Sequence, residues 1–237
     1  MQRTSAKLIA LSMLIDATTA SKSVLCLHGR GGSASTFLAR GLEPLRSATA
    51  ASYGVPGRER RAVGWNYDAI DALDASGGWW TYPKGQRSYS ADSYTGAEAS
   101  IAAVEAELAT GKYSGLLGFS QGAMLAAVVA ARAATGEGDR EAAKNLKFAV
   151  ICAAALPAPF RPLLDRLRAM GGAPSSLPTL HCLSEVDSMN PPELGEELAS
   201  CFGPSATVLW HDAGHDMPSK DKLNDVAVWM DQAGGGS

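Results

Sequence analysis

The sequence predicts a doubly wound, mostly parallel α/β sheet with helices on both faces. Three observations predict it. Short apolar runs opening at Ser23, Gly115, Lys147, Thr179 and Ala206 are too brief for helices and suit buried strands. Segments with helical spacing of apolar residues alternate with these runs, the order that builds a parallel sheet. Glycine-rich or polar loops follow the runs, at the carboxyl ends of the strands where such sheets bind ligands. The chain has 237 residues, 46% hydrophobic and 19% charged, enough apolar material for one domain with a sizeable core.

Taken in order, residues 1–22 form an N-terminal extension. Arg3 and Lys7 precede the apolar stretch Leu8 to Ile15, and Thr18-Thr19-Ala20 has the small side chains of a cleavage site. That is the outline of a targeting segment, although Asp16 interrupts its apolar core early. The domain itself is expected over residues 23–233, with a flexible tail at 234–237.

Ser23-Val-Leu-Cys-Leu27 is the first strand. It ends in His28-Gly29-Arg30-Gly31-Gly32, followed by a helix near Ser35 to Ser47. A glycine-rich loop here frees backbone N–H groups. Phosphate binding is one reading, but the full G-x-G-x-x-G spacing is absent. The alternative is stabilisation of an oxyanion, with the amide of Arg30 as the donor and His28 as a hydrogen-bonding support beneath the loop.

Residues 48–96 are the least regular. A weak strand is expected over Ala48 to Val55, and Arg58-Glu59-Arg60-Arg61 reads as a solvated surface. Trp79 and Trp80, in a loop flanked by glycine and proline, are either core cover or the lining of an apolar acyl pocket. A long loop in a compact domain tends to be a lid or binding loop. Tyr94 to Ala109 is a helix with Ile101, Val104 and Leu108 inside and Glu98, Glu105 and Glu107 outside.

Gly115 to Phe119 is the next strand. It turns at Gly118-Phe119-Ser120-Gln121-Gly122 into a helix running to Ala134. Strand, G-x-S-x-G, helix is the context of a strained turn that presents a nucleophilic serine. A polar connector (135–141) and the strand Lys147 to Ala153 follow. Leu156 to Pro178, punctuated by prolines around a short basic helix, suits a small cap over the site. The strand Thr179 to Leu183 ends at Ser184-Glu185-Val186-Asp187. After a helix at Pro192 to Phe202, the last strand, Ala206 to Trp210, leads into His211-Asp212-Ala213-Gly214-His215. A closing helix spans Lys220 to Gln232.

A serine hydroxyl needs a base to accept its proton. His215 is the candidate, because Gly214 lets the loop turn the imidazole inward; His211 is the alternative. The imidazole in turn needs a carboxylate to set its tautomer. Asp187 is the candidate and Glu185 the alternative, with Asp212 and Asp216 read as surface charges. A metal site at His211, Asp212 and His215 lacks H-E-x-x-H spacing and a distant third ligand.

Val24-Leu-Cys-Leu-His-Gly29, Leu117-Gly-Phe-Ser-Gln-Gly-Ala123 and Asp212-Ala-Gly-His215 together resemble the "family of serine hydrolases" (FSH) group of α/β-hydrolases. Ser184 to Asp187 with Pro192-Glu193 resembles that group's G-x-x-D…P-P-E segment, and Trp79-Trp80 its Trp-Trp motif. The resemblance runs from about Val24 to Trp229. It implies an α/β-hydrolase fold and hydrolysis of carboxylic esters or thioesters of acyl chains through an acyl-enzyme. Ser120 maps to the nucleophile, Asp187 to the orienting acid, His215 to the base, and the amides of Arg30 and Gln121 to the oxyanion hole. No metal or organic cofactor is implied. The substrate is a small-molecule or acyl-carrier ester or thioester. Two departures stand out: Ser184 replaces the usual glycine, and relatives carry a bulkier, more polar loop at Gly29 to Gly32. The elbow G-F-S-Q-G is shared with acyl-protein thioesterases, so a thioesterase or phospholipase-like carboxylesterase is the alternative. A non-catalytic binding module would be expected to lack a triad member, and none is missing.

A net charge of −3 and a pI near 5.8 disfavour nucleic acid and anionic membrane surfaces as partners. No apolar run reaches the length of a membrane span, so stable membrane insertion is not expected. The four cysteines show no metal or redox spacing and suit a reducing, cytoplasmic compartment. A secretory or organellar location follows instead if residues 1–20 are a targeting segment. Oligomeric state is left open by the sequence.

Overall fold

The computed structural model describes residues 22–51 and 65–234. Among the described residues six strands form one sheet: β1 (Ser23–Leu27), β2 (Asn66–Ala69), β3 (Gly115–Phe119), β4 (Phe148–Cys152), β5 (Thr179–Ser184) and β6 (Ala206–His211). Their order is β2-β1-β3-β4-β5-β6, and every neighbouring pair is parallel. The chain lays β2 on one side of β1, then returns to place β3 on the other. That reversal makes the β1/β3 boundary the switch point, where a crevice opens at the carboxyl ends of the strands. Leu27 pairs with Gly118 at this boundary, so the loop after β1 and the turn after β3 lie side by side.

The inner strands β1, β3, β4 and β5 are buried on both faces because both faces are covered, whereas the edge strands β2 and β6 are partly exposed. Val24, Cys26, Leu117, Val150, Cys152, Leu180 and Cys182 belong to one core cluster. Their neighbours in sequence, Leu25, Leu27, Leu116, Ala149 and Ile151, belong to the other, as the two-residue period requires. The first cluster is closed by α2 (Glu43–Ala51) and α8 (Lys220–Gly234), through Leu45, Val226 and Met230. The second is closed by α3 (Ala97–Ala109), α4 (Gln121–Thr135), α6 (Arg161–Ala169) and α7 (Pro192–Cys201). Before α2, a one-turn helix α1 (Ala34–Thr36) runs into a π-helical turn over Phe37–Gly41. Along α4, every residue from Gln121 to Ala131 is buried, which explains its alanine-rich composition.

Several expectations are corrected. Ala48 lies in α2, not in a strand, as its alanine-rich surroundings favour; residues 52–55 of the expected strand lie outside the described residues. So do the targeting-like segment 1–20, the Arg58–Arg61 cluster and the tail 235–237. The edge strand β2 was not anticipated. The polar connector leads into a short helix, α5 (Arg140–Asn145), capped by the Asp139 carboxylate, which accepts the Ala142 N–H at 2.8 Å. Glu105 is buried rather than outward, and its carboxylate accepts a hydrogen bond from Arg132 Nε at 2.9 Å. The basic helix α6 does not overhang the site. It buries Leu163, Leu164 and Leu167 against the core beside α4 and α7.

Candidate active site

Ser120 sits between β3 and α4 at φ 54°, ψ −118°, backbone space that residues with a Cβ rarely occupy. The flanking glycines make the turn possible. A Cβ at Gly118 would lie 2.3 Å from the Gly122 carbonyl oxygen, and one at Gly122 would lie 2.3 Å from that of Leu27. Hydrogen bonds hold the strained residue: its amide donates to the Cys152 carbonyl at 2.9 Å, and its carbonyl accepts from the Ala123 and Met124 amides.

Three loops bring three side chains together. His215 Nε2 lies 2.9 Å from Ser120 Oγ, and His215 Nδ1 lies 2.9 Å and 3.1 Å from the two Asp187 carboxylate oxygens. The carboxylate can only accept, so Nδ1 carries the proton and Nε2 presents its lone pair to the serine hydroxyl. Asp187 is nearly buried, with 4% of its side chain exposed, and its Oδ1 also accepts the Met189 and Asn190 amides at 2.8 and 2.9 Å. Gly214, at φ +69°, makes the turn that delivers His215. Its amide donates to Ser184 Oγ at 3.2 Å, so the serine that replaces the usual glycine ties the histidine loop to the end of β5.

The alternatives fall elsewhere. His211 is buried, its Nδ1 accepts the Ala213 amide at 3.2 Å, and burial pushes its pKa down. Glu185 lines a separate hollow with Trp210 and Asp212. Among the described residues, no group of three or more His, Cys, Asp or Glu side chains could hold a metal ion.

On the other side of the elbow, the Gly29–Gly32 loop is fixed from below. His28 Nδ1 donates to the Gly29 carbonyl at 2.8 Å, and its Nε2 accepts the Ala72 amide at 3.3 Å, both roles of a neutral ring. The Gly31 amide donates to the Gly77 carbonyl at 2.9 Å. Trp79 Nε1 donates to the His28 carbonyl at 2.8 Å, and the Trp79 amide to Gln121 Oε1 at 3.0 Å. Gln121 Nε2 donates to the Trp80 carbonyl at 3.0 Å. One buried glutamine thus clamps the Trp-Trp segment, and the segment in turn holds the end of β1.

A family model described as serine hydrolase (FSH1) matches residues 18–227. The chain belongs to the FSH1 serine hydrolase family. Esterase OVCA2 of Danio rerio is 31% identical over 212 residues, which cover 83% of this chain and 90% of that protein. Among solved structures, Zea mays acyl-protein thioesterase 2 superposes with a TM-score of 0.64 at 20% identity, covering 92% of this chain and 95% of that one. Esterase PE8 gives 0.62 at 20% identity, covering 90% and 93%. The shared architecture is the α/β-hydrolase fold.

In this FSH1 member, Ser120 and His215 open into a cleft of about 320 Å³, whose walls include Arg30, Tyr82, Arg87, Tyr89 and Met189. Trp79 and Trp80 do not line it. Each is 1% exposed and packs in the core, with Trp80 stacked on Tyr94 at 4.6 Å between centroids. The tryptophans form the wall behind the Gly29–Gly32 loop, and the residues just after them in sequence reach the cleft. Sequence reasoning missed those residues and also Asn190, whose side-chain amide donates to the Ala153 carbonyl at 2.7 Å. The usable signal is the tyrosine- and arginine-bearing stretch Tyr82 to Tyr89, in the long loop expected to be a lid or binding loop. Among the described residues no helix is long and apolar enough to cross a membrane.

Proposed function

We propose that Ser120, His215 and Asp187 act as a catalytic triad that hydrolyses carboxylic esters or thioesters of acyl chains by two-step acyl transfer. The observation that carries this reading is the 2.9 Å contact between His215 Nε2 and Ser120 Oγ, with the opposite ring nitrogen on a carboxylate. His215 accepts the serine proton as Oγ attacks the carbonyl carbon. The backbone amides of Arg30 and Gln121 receive the developing oxyanion, and loss of one such donor typically costs about 2.7–4 kcal/mol. The tetrahedral intermediate collapses, His215 protonates the departing alcohol or thiol, and a water molecule activated by His215 releases the acid and restores Ser120. Esters and thioesters both stand, because the names of the relatives include an esterase and an acyl-protein thioesterase. All four cysteines are free and buried, which supports a reducing, cytoplasmic setting.

The test is labelling with a fluorescent fluorophosphonate beside Ser120→Ala and His215→Ala. Labelling that requires both residues, with an acyl-ester turnover that follows it, is the expected result. Retained turnover in pure, folded Ser120→Ala would move the chemistry to another residue.

A further inference from the structure

The cleft carries positive charge with no carboxylate among the described residues that line it. Arg30 and Arg87 both line it. Elsewhere Arg132, Arg161, Arg166 and Arg168 each pair with a carboxylate. Neither cleft arginine forms an ion pair within the described residues, although guanidinium groups remain charged at any working pH.

The Arg30 side chain and the backbone that carries Arg87 are held in place without a ligand. Arg30 Nη1 donates to the Tyr82 hydroxyl at 2.7 Å, and its guanidinium carbon lies 4.9 Å from the centre of the Tyr82 ring. Tyr82 leans on Tyr94, which stacks on buried Trp80. The segment carrying Arg87 is anchored to the same ring, because the Tyr94 hydroxyl donates to the Ser88 carbonyl. The Arg87 amide donates to Ser90 Oγ at 3.2 Å, and the Ser90 amide returns a bond to the Arg87 carbonyl at 3.0 Å. A guanidinium has five N–H donors, and Tyr82 takes one from Arg30, so the fork remains open for an anion. Fixing a charged side chain beforehand reduces the ordering cost of binding. Beneath the arginines the cleft is apolar at Phe119 and Met124, and its volume is at the small end for ligand pockets.

We propose that this cleft selects small acyl esters or thioesters that carry an anionic group, a carboxylate or a phosphate, bound by Arg30 and Arg87. The inference rests on the hydrolase reading of Ser120 and specifies its substrate class. The anion sits either on the acyl chain or on the leaving group, and matched substrates separate the two. The p-nitrophenyl monoester of adipic acid against p-nitrophenyl hexanoate tests the acyl side. Butyryl-coenzyme A against butyryl-N-acetylcysteamine tests the leaving-group side.

The quantity read is the ratio of kcat/KM, anionic over neutral, within each protein. Wild type is expected to prefer the anionic member of one pair by about tenfold, the order set by charge-assisted hydrogen bonds at partly exposed groups. That ratio should fall towards unity in Arg30→Gln/Arg87→Gln, mainly through KM, and should shrink as salt is added. Arg87→Gln alone, which leaves the elbow and the Gly29–Gly32 loop unchanged, should lower it if the double variant does not fold. A ratio near unity for both pairs in wild type, or a preference that survives the replacements, overturns the inference. Turnover of the neutral hexanoate ester, lost in Ser120→Ala, monitors the hydrolase reading separately. If it is present without an anion preference, only the substrate class fails; if no ester is cleaved, both fail.

Discussion

Gln121→Leu tests whether the buried clamp behind the Gly29–Gly32 loop serves the proposed catalysis. Gln121 is 3% exposed, and both ends of its amide are used, one accepting the Trp79 N–H and the other donating to the Trp80 carbonyl at 3.0 Å each. Leucine nearly preserves the volume and removes both partners. Two buried backbone groups are then left unsatisfied, at about 1–3 kcal/mol each, or about 2–6 kcal/mol together. That is a large fraction of the roughly 5–15 kcal/mol that stabilises a typical domain, so urea unfolding and kinetics are measured on the same preparation at low temperature. The kinetic consequence follows from connectivity. The clamp holds Trp79, Trp79 Nε1 holds the His28 carbonyl, and His28 immediately precedes the loop that supplies the Arg30 amide. Misplacement of an oxyanion donor by about 1 Å costs on the order of a hundredfold, so kcat should fall by about ten- to a hundredfold with KM little changed. Gln121→Glu adds a second reading: a protonated carboxyl reproduces both bonds, so its stability deficit relative to wild type should narrow as the pH is lowered. Folded Gln121→Leu with wild-type kcat would refute the reasoning.

Two further outcomes are expected. Ser184→Ala removes the hydroxyl that accepts the Gly214 amide at 3.2 Å; kcat should fall about three- to tenfold, the scale of one hydrogen bond, with fluorophosphonate labelling slowed in parallel, and an unchanged labelling rate would count against the tie. His181 is fully buried, and burial lowers its pKa from 6.5 to about 3, so between those values the unfolded chain binds more protons than the folded one. Its contribution to stability is complete above about pH 6.5 and declines as the pH falls, by about 2 kcal/mol at about pH 5. Unfolding free energies from urea titrations, taken well above pH 6.5 and at about pH 5, should fall by about 2 kcal/mol more in wild type than in His181→Leu; parallel pH dependences would rule it out.

What could be read from the residues was local. The elbow is legible because its glycines, strand and helix occupy one continuous stretch. Asp187 and His215 are legible because each lies past a strand end at the carboxyl edge of the sheet, Asp187 after buried β5 and His215 after the edge strand β6. Strand β2 gave no such signal: Asn66-Tyr67-Asp68-Ala69 pairs on one side only, is partly exposed along its length and carries no apolar run. The choice between His211 and His215 needed the turn at Gly214, and the Ser184 bond that fixes it crosses from another strand. The sequence leaves the tryptophans open between pocket and core. Their fate depends on a glutamine about 40 residues further along the chain, a pairing that periodicity cannot reveal.

That long-range pairing also gives the irregular segment before α3 a reason to be where it is. A residue at φ 54° costs on the order of 1–3 kcal/mol and persists only if its surroundings hold it. Ser120 is held on one side by its amide bond to the Cys152 carbonyl. On the other side, the next residue is Gln121, whose side chain is fastened to Trp79 and Trp80, themselves packed in the core. The strained serine therefore lies between two fixed points, one in the sheet and one in the loop. The loop that anchors the second point also carries Tyr82 and Arg87 to the cleft. The strain at the proposed nucleophile and the cleft wall formed by Tyr82 and Arg87 depend on the same Trp-Trp segment, so changes at Trp79 or Gln121 should alter kcat and substrate preference together.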